Sequence, residues 1–89
     1  MTYSLVRESD AAGDSGPVSL ALWIENGEPQ TEHDARPRVG VALQVGSLFA
    51  RSYSAQDYWQ TTIIEEILID QEDYVKFRTR NSIYEWKKF

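Results

Sequence analysis

The stretch YVKFRTRNSIYEWKK, residues 74–88, decides the fold. Its side chains alternate between apolar and polar on both sides of Arg80-Asn81, which is the pattern of two antiparallel strands joined by a tight turn. With the turn at these two residues, the facing pairs are Thr79–Ser82, Phe77–Tyr84, Val75–Trp86, Arg78–Ile83 and Lys76–Glu85. One face of this hairpin is therefore aromatic and apolar, and the other face is mostly charged.

The alternative register, with its turn at Asn81-Ser82, is less favourable. It places Lys76 opposite Lys87, and like charges directly opposite each other destabilise a strand pair. In the preferred register the basic residues Lys76, Arg78 and Lys87 form the solvent side of the hairpin. The sequence thus explains them without a nucleic-acid site.

Alternation predicts further strands upstream. They are a first strand at 2–7, a second in VSLALWIE at 18–25, a third in RVGVALQVG at 38–46, and a continuation or fourth strand at 47–53. The second strand ends in Glu25-Asn26-Gly27-Glu28, and Asn-Gly is a strong signal for a two-residue hairpin turn. Residues 8–17 are small, acidic and turn-forming, residues 29–38 hold two prolines and no apolar periodicity, and we expect both to be flexible loops.

Residues 54–69 carry two conflicting signals. Isoleucine and leucine recur at helical spacing in TTIIEEILI, residues 61–69, and residues 54–57 (SAQD) resemble a helix N-cap. Six of the nine residues in 61–69 are Thr or Ile, however, and these β-branched residues prefer strands. We therefore predict a strand with a bulge near Glu65-Glu66, followed by a reversal at 70–73.

The predicted class is mainly β: a small curled antiparallel sheet or barrel of five or six short strands with a C-terminal hairpin. The alternative is an α+β domain with one helix in 54–69. With 89 residues and 42% hydrophobic residues, the chain has the size of a single domain, which we place at 1–89.

Charge is distributed unevenly along the chain. Residues 1–73 hold 13 acidic and four basic side chains, whereas residues 74–89 hold one acidic and five basic, for a net charge of −5. An acidic body favours basic partners over duplex DNA. The chain has no cysteine, no secretory leader pattern and no apolar run long enough for a membrane span, so we expect a cytoplasmic protein without membrane contact.

Catalytic and metal signals are weak. His33 is the single histidine and lies between two carboxylates, which is a poor ligand set for a transition metal. The adjacent carboxylates Glu65-Glu66 and Glu72-Asp73 point to opposite faces if they lie on strands, so they do not form an acid/base pair. We predict a protein that is not an enzyme and that uses no cofactor and no metal.

The acidic residues suggest a binding function instead. Eight of them are expected on loops: Glu8, Asp10, Asp14, Glu25, Glu28, Glu32, Asp34 and Asp57. Such a surface could occupy a basic, nucleic-acid-binding groove of another protein, with Tyr58 and Trp59 as aromatic anchors. The predicted binding residues are Tyr58, Trp59, Asp57, Glu28, Glu32 and Asp34.

Two other functions stay open. A small barrel could bind single-stranded nucleic acid by stacking bases on exposed aromatic rings beside Arg78 and Arg80. The candidate rings are Tyr53, Tyr58, Trp59, Tyr74, Tyr84 and Trp86. Alternatively, open sheet edges could support a structural homo-oligomer, such as a homodimer.

The last third of the chain contains a run W-x-T-T-x-I-x-E-I, a short acidic turn, and F-x-T-x-N-S-x-Y. The matching positions are Trp59, Thr61, Thr62, Ile64, Ile67, Phe77, Thr79, Asn81, Ser82 and Tyr84. In this respect the sequence resembles small β proteins of phages and other mobile elements. That resemblance implies a phage-type accessory protein, a group in which compact acidic inhibitors of host defence, including anti-CRISPR proteins, are common. It assigns no site residue.

Overall fold

A computed structural model describes residues 2–46 and 58–89. Within those ranges the chain forms nine β-strands and no helix. The strands are β1 (Tyr3–Arg7), β2 (Gly13–Gly16), β3 (Val18–Glu25), β4 (Glu28–His33), β5 (Ala42–Gly46), β6 (Tyr58–Gln60), β7 (Ile64–Gln71), β8 (Tyr74–Thr79) and β9 (Ile83–Lys88). All paired neighbours are antiparallel, which confirms the predicted class.

The strands form two sheets. Sheet A has the order β2-β1-β9-β8-β7, and sheet B has the order β4-β3-β5-β6. The chain passes from β2 to β3 through Pro17, where Gly16 lies so close to Gly46 that a Cβ atom at position 16 would overlap the carbonyl oxygen of Gly46. A second junction joins residues 40–43 to 61–64 by backbone hydrogen bonds. The described strands of the two sheets meet at these corners without closing into a barrel.

The C-terminal hairpin, β8 and β9, has the predicted register. Val75 lies opposite Trp86, Phe77 opposite Tyr84, and the Thr79 N–H donates to the carbonyl oxygen of Ser82. The Phe77 and Tyr84 rings stack with their centroids 5.5 Å apart. The aromatic face of this hairpin is buried, as the alternation predicts.

The ambiguous segment before this hairpin is a strand. β7 pairs with β8, and the pairing shifts register between Ile64 and Glu66 and again between Ile67 and Ile69. The bulge predicted near Glu65-Glu66 is confirmed, and the alternative helix is wrong over residues 58–69 because the β-branched side chains favour extended backbone. The predictions for residues 47–53 and 54–57 lie outside the described residues.

The main core lies between the sheets. It consists of Tyr3, Leu5, Leu43, Val45, Ile64, Val75, Phe77, Tyr84 and Trp86. The Trp86 indole N–H donates to Ser19 Oγ at 3.1 Å, and the Ser19 hydroxyl donates to the Ala35 carbonyl oxygen at 2.9 Å. This chain of hydrogen bonds ties β9 of sheet A to β3 of sheet B.

The two predicted loops contain strands. β2 lies within 8–17, and β4 covers the first half of 29–38, so the described residues have more strands than the five or six expected. Gly13 allows β2 to lie against β1, because a Cβ at that position would overlap the backbone of Leu5. β4 follows the predicted Asn26-Gly27 turn, in which both residues have positive φ, 52° and 78°. Backbone pairing thus overrides the turn-forming composition of both segments.

The described part of the chain contains no helix of the length and apolarity needed to cross a lipid bilayer.

Candidate protein-binding surface

The outer face of sheet A is charged, and several of its charges are paired within the molecule. Lys76 Nζ lies 2.8 Å from Glu8, and the Arg78 guanidinium contacts Glu65 at 3.0 Å and Glu66 at 3.2 Å. Hydrogen bonds to these carboxylates raise the pKa values of Lys76 and Arg78. Two of the five cations of the C-terminal stretch, Lys76 and Arg78, are therefore paired with neighbouring carboxylates.

Sheet A holds two further polar pairs, of which only the first lies on this face. The Tyr74 hydroxyl donates to Glu85 at 2.6 Å, and this bond, with burial and the carboxylate charge, raises the pKa of Tyr74 to about 12. At the end of β1, the Arg7 guanidinium lies 2.6 Å from Asp10 and lowers the pKa of that carboxyl to about 2. Glu85, Arg7 and Asp10 are therefore each bonded to a partner within the molecule.

The positions of the proposed stacking rings are relevant to the hypothesis of single-stranded nucleic-acid binding. Tyr84 and Trp86, two of the proposed stacking rings, belong to the core, and Tyr74 is half-buried and hydrogen-bonded. Stacking of single-stranded bases requires open aromatic faces beside free cations. Arg80 in the hairpin turn is exposed, but no exposed ring among these three accompanies it.

The outer face of sheet B is different, because it holds a mostly apolar groove of about 560 Å³. The groove is lined by Leu22, Trp23, Ile24, Pro29, Gln30, Thr31, Gly40, Ala42, Gln44, Gln60 and Ile63. Its two most exposed aliphatic side chains are Ile24, 69% exposed, and Ile63, 56% exposed. We call this feature the sheet B groove.

The sequence of β3 explains why the groove stays open. Both faces of VSLALWIE are apolar, so packing one face against sheet A leaves the other uncovered. Ser19 and Ala21 are fully buried on the inner side, while Leu22 and Ile24 lie on the outer side, opposite Thr31 and Pro29. Exposed apolar side chains that are contiguous on one face mark interaction sites.

The groove reaches the end of the β3–β4 hairpin, where two carboxylates face each other on the opposite face of sheet B. Glu25 and Glu28 are directly opposite, both are exposed, and within the described residues neither forms an ion pair. Like charges in this position cost stability. We call Glu25, Glu28 and Glu32 the acidic hairpin.

Three of the predicted binding residues lie on β4 or at its end. Glu28 and Glu32 share one side of the strand, and Glu32 pairs with Arg38 at 3.1 Å. Asp34 accepts a hydrogen bond from the Tyr3 hydroxyl at 3.0 Å. Burial, together with this bond and the Asp34 charge, raises the pKa of Tyr3. Asp34 therefore joins β4 to sheet A.

The predicted aromatic anchors lie elsewhere. Trp59 is on β6, at the opposite edge of sheet B from β4, and its partly buried ring packs against the core with the Arg7 guanidinium 5.1 Å from the ring centroid. Trp59 Nε1 is buried and has no hydrogen-bond partner among the described residues. Tyr58 contributes its backbone to β6; its side chain and Asp57 lie outside the described residues.

The placement of the acidic residues also differs from the expectation. Asp14, Glu25, Glu28 and Glu32 lie on strands rather than on loops, because their segments pair with β1 or within the β3–β4 hairpin. Lateral pairing, which composition alone does not encode, aligns Glu25 and Glu28. The groove residues Ile24 and Ile63 were not among the predicted site residues. Their signal was apolar character on both faces of one segment, in 18–25 and again at Ile63-Ile64.

Fold and surface together define a class: a small two-sheet antiparallel β protein with an open apolar groove next to an acidic hairpin. Comparison of the chain with protein-family models, with curated proteins and with solved structures gives no match.

Proposed function

We propose that the chain is a non-enzymatic binding protein that docks on a basic surface of another protein through the sheet B groove and the acidic hairpin. The observation that carries this proposal is the meeting of the two features at Ile24 and Glu25. At the tip of the β3–β4 hairpin, Ile24 supplies exposed apolar area on one face, and Glu25 supplies, on the other face, a negative charge that has no ion-pair partner among the described residues.

The two parts contribute differently to binding. Burial of the exposed aliphatic side chains supplies affinity, at ~25 cal/mol per Å² of apolar surface removed from water. Carboxylates at the rim accelerate the encounter with a basic partner and disfavour acidic ones. This combination suits a protein partner better than a polyanion, which Glu25 and Glu28 would repel.

The kind of partner follows from the charge of this surface and from the resemblance to phage proteins. We propose a host protein of the cytoplasm whose basic surface binds nucleic acid, such as a component of a defence system. The chain would then act as a phage-type inhibitor, of the anti-CRISPR kind, by occupying the groove that the nucleic acid needs.

Affinity capture from host lysate, with a matched pair of variants, tests the charge requirement. Glu25→Lys/Glu28→Lys reverses the acidic hairpin, and Glu72→Lys/Asp73→Lys makes the same change of net charge in the β7–β8 turn. We expect the first variant to lose a partner that the wild type and the second variant retain. The captured protein, identified by mass spectrometry and purified, should lose nucleic-acid binding when the wild-type chain is added.

A second pair tests the groove. Ile24→Gln removes an exposed aliphatic side chain from the groove, and Val39→Gln removes one that is 58% exposed and does not line it. Weaker binding by Ile24→Gln alone supports the proposal.

Two results would contradict it. One is quenching of Trp fluorescence by mixed-sequence single-stranded DNA at low salt, reversed by added salt, because that behaviour indicates a nucleic-acid site. The other is the recovery of no partner, together with defence-system activities that the purified chain leaves unchanged.

A further inference from the structure

β4 is the outermost strand of sheet B and pairs only with β3 within the described residues. Its pairing runs from Leu20–His33 to Glu25–Glu28 without a register shift. β7, an outer strand of sheet A, is interrupted by two shifts, which twist and disrupt an edge. Of these two edges, β4 is the regular one that could accept another strand.

The hairpin turn determines which backbone groups of β4 are free. In a two-residue turn the closing pair, here Glu25 and Glu28, is hydrogen-bonded, and hydrogen-bonded and non-hydrogen-bonded pairs then alternate along the ladder. The N–H and C=O groups of Thr31 and His33 therefore point away from β3. Pro29 occupies the same outward set, where its missing N–H takes nothing from the β3–β4 ladder.

Side chains on the two faces of β4 define what an added strand should carry. Residues of that strand opposite Gln30 and Glu32 would lie on the face of Glu28, which favours lysine or arginine, and of Glu32, which also contacts Arg38. Residues opposite Thr31 would lie on the face of the sheet B groove, where β-branched or apolar side chains fit.

We infer that β4 takes up an extended segment of the partner in which basic residues alternate with apolar or β-branched ones, by strand addition to its free edge. The inference rests on the proposed function, because it specifies how the basic partner binds. Main-chain hydrogen bonds to Thr31 and His33 supply the pairing, and the glutamates select the charge.

A second copy of this chain is a poor occupant. Antiparallel pairing of two β4 edges would bring the Glu28 and Glu32 side chains of both copies onto adjoining strands, and like charges on adjoining strands repel. Charge on an outer strand also prevents self-pairing. The same carboxylates thus exclude the copy and admit a basic strand.

Titration with a defined peptide tests the inference. The probe is a short peptide, blocked at both ends, in which lysine alternates with valine and threonine, and its binding is followed by calorimetry and by backbone amide NMR. Thr31→Pro removes one outward N–H, and Thr31→Val retains it as a matched control. We expect Thr31→Pro to weaken binding at least about fivefold, as loss of one hydrogen bond implies, and Thr31→Val to bind like the wild type.

A modified probe makes the test independent of the variant's folding. Two further peptides carry methyl groups on alternate backbone nitrogens, one on the odd-numbered and one on the even-numbered residues. Each lacks the N–H donors of one edge of the peptide, and the protein is unchanged. One of these two methylated peptides should lose binding and the other should retain it, because only one edge of the peptide faces β4.

The outcomes separate the inference from the proposed function. Binding that is indifferent to Thr31→Pro and to both methylations overturns strand addition and leaves the basic-partner proposal standing. Absence of peptide binding also overturns strand addition, while capture with the charge-reversed hairpin decides the proposed function. A dimer that sediments intact for the wild type and dissociates in Thr31→Pro would assign the edge to self-association and overturn the inference.

Discussion

The outer faces of the two sheets differ in how their side chains are satisfied. On sheet A, Lys76, Arg78 and Tyr74 each contact a carboxylate of the same molecule. On sheet B, Ile24 is exposed on the outer face, and Glu25 and Glu28 face each other on the opposite face, at the end of the hairpin, without an ion-pair partner among the described residues. Sheet A pairs several of its polar side chains within the molecule, whereas the β3–β4 hairpin of sheet B leaves apolar area and negative charge that a partner could satisfy.

This difference teaches that net charge along the chain is a poor guide to where a partner binds. The basic C-terminal stretch resembles a site in the sequence, but its strand cations Lys76 and Arg78 are paired on sheet A. The proposed docking surface lies on sheet B, in a segment whose composition predicts an apolar strand followed by a loop.

The largest expected difference in the effect of mutation on stability lies between two adjacent residues, Ile63 and Ile64. Ile64 is 1% exposed in the main core, and Ile63 is 56% exposed in the sheet B groove. We expect Ile64→Ala to lower the free energy of unfolding by ~2–5 kcal/mol, the cost of a large-to-small change in a core. Ile63→Ala should change it by no more than ~0.5 kcal/mol. Urea unfolding of both variants measures the two values.

Equal losses in Ile63→Ala and Ile64→Ala would show that the groove is part of the core. They would also remove the basis for sheet B as a docking surface.

Two short segments show how much of the fold the sequence alone predicts. The C-terminal hairpin was predicted with its register because its aromatic and charged side chains satisfy only one alignment. The bulged strand β7 was predicted because six of the nine residues in 61–69 are Thr or Ile, whose preference for strands outweighs the helical spacing of the apolar residues. In both cases the deciding information lies within a short segment.

The groove and the acidic hairpin depend on pairing between segments. Whether Leu22 and Ile24 face sheet A or solvent is set by which face of β3 meets Trp86, and Trp86 is far away in the sequence. Likewise, β4 has a composition typical of a loop and becomes a strand because the Asn26-Gly27 turn folds it back on β3. Local propensity does not contain these contacts.

The second contrast concerns Ser19, whose buried hydroxyl links the sheets. Ser19→Ala leaves the Trp86 indole N–H and the Ala35 carbonyl without this partner, and a buried unsatisfied group costs ~1–3 kcal/mol. Ser15→Ala, on the exposed side of β2, is the control and should cost far less. Thermal unfolding compares them, and similar stabilities would contradict a joining role for Ser19.

The third contrast is in pH dependence. The pKa of Tyr74 is raised to about 12, above its ordinary value of 10, chiefly by the hydrogen bond to Glu85. Because the folded-state pKa is the higher one, the stability that this bond contributes is present below about pH 10 and is lost as the pH rises through about 12. NMR of ring-labelled tyrosine should show Tyr74 titrating near pH 12.

Glu85→Gln provides the control for that titration. The variant removes the carboxylate charge, so the pKa of Tyr74 should fall back towards 10. An unchanged titration would mean that burial, rather than pairing on sheet A, sets this pKa.

The smallest contrast is in the sign of a charge effect. Glu28→Gln removes a like-charge neighbour of Glu25 and should raise the free energy of unfolding by ~0.2–1 kcal/mol. Glu66→Gln removes a partner of Arg78 and should lower it by a similar ~0.2–1 kcal/mol. Urea unfolding at low salt measures both changes, and both should shrink at high salt as the charges are screened. If the two variants shift stability in the same direction, the acidic hairpin is as well compensated as sheet A, and no unpaired charge remains there to attract a basic strand.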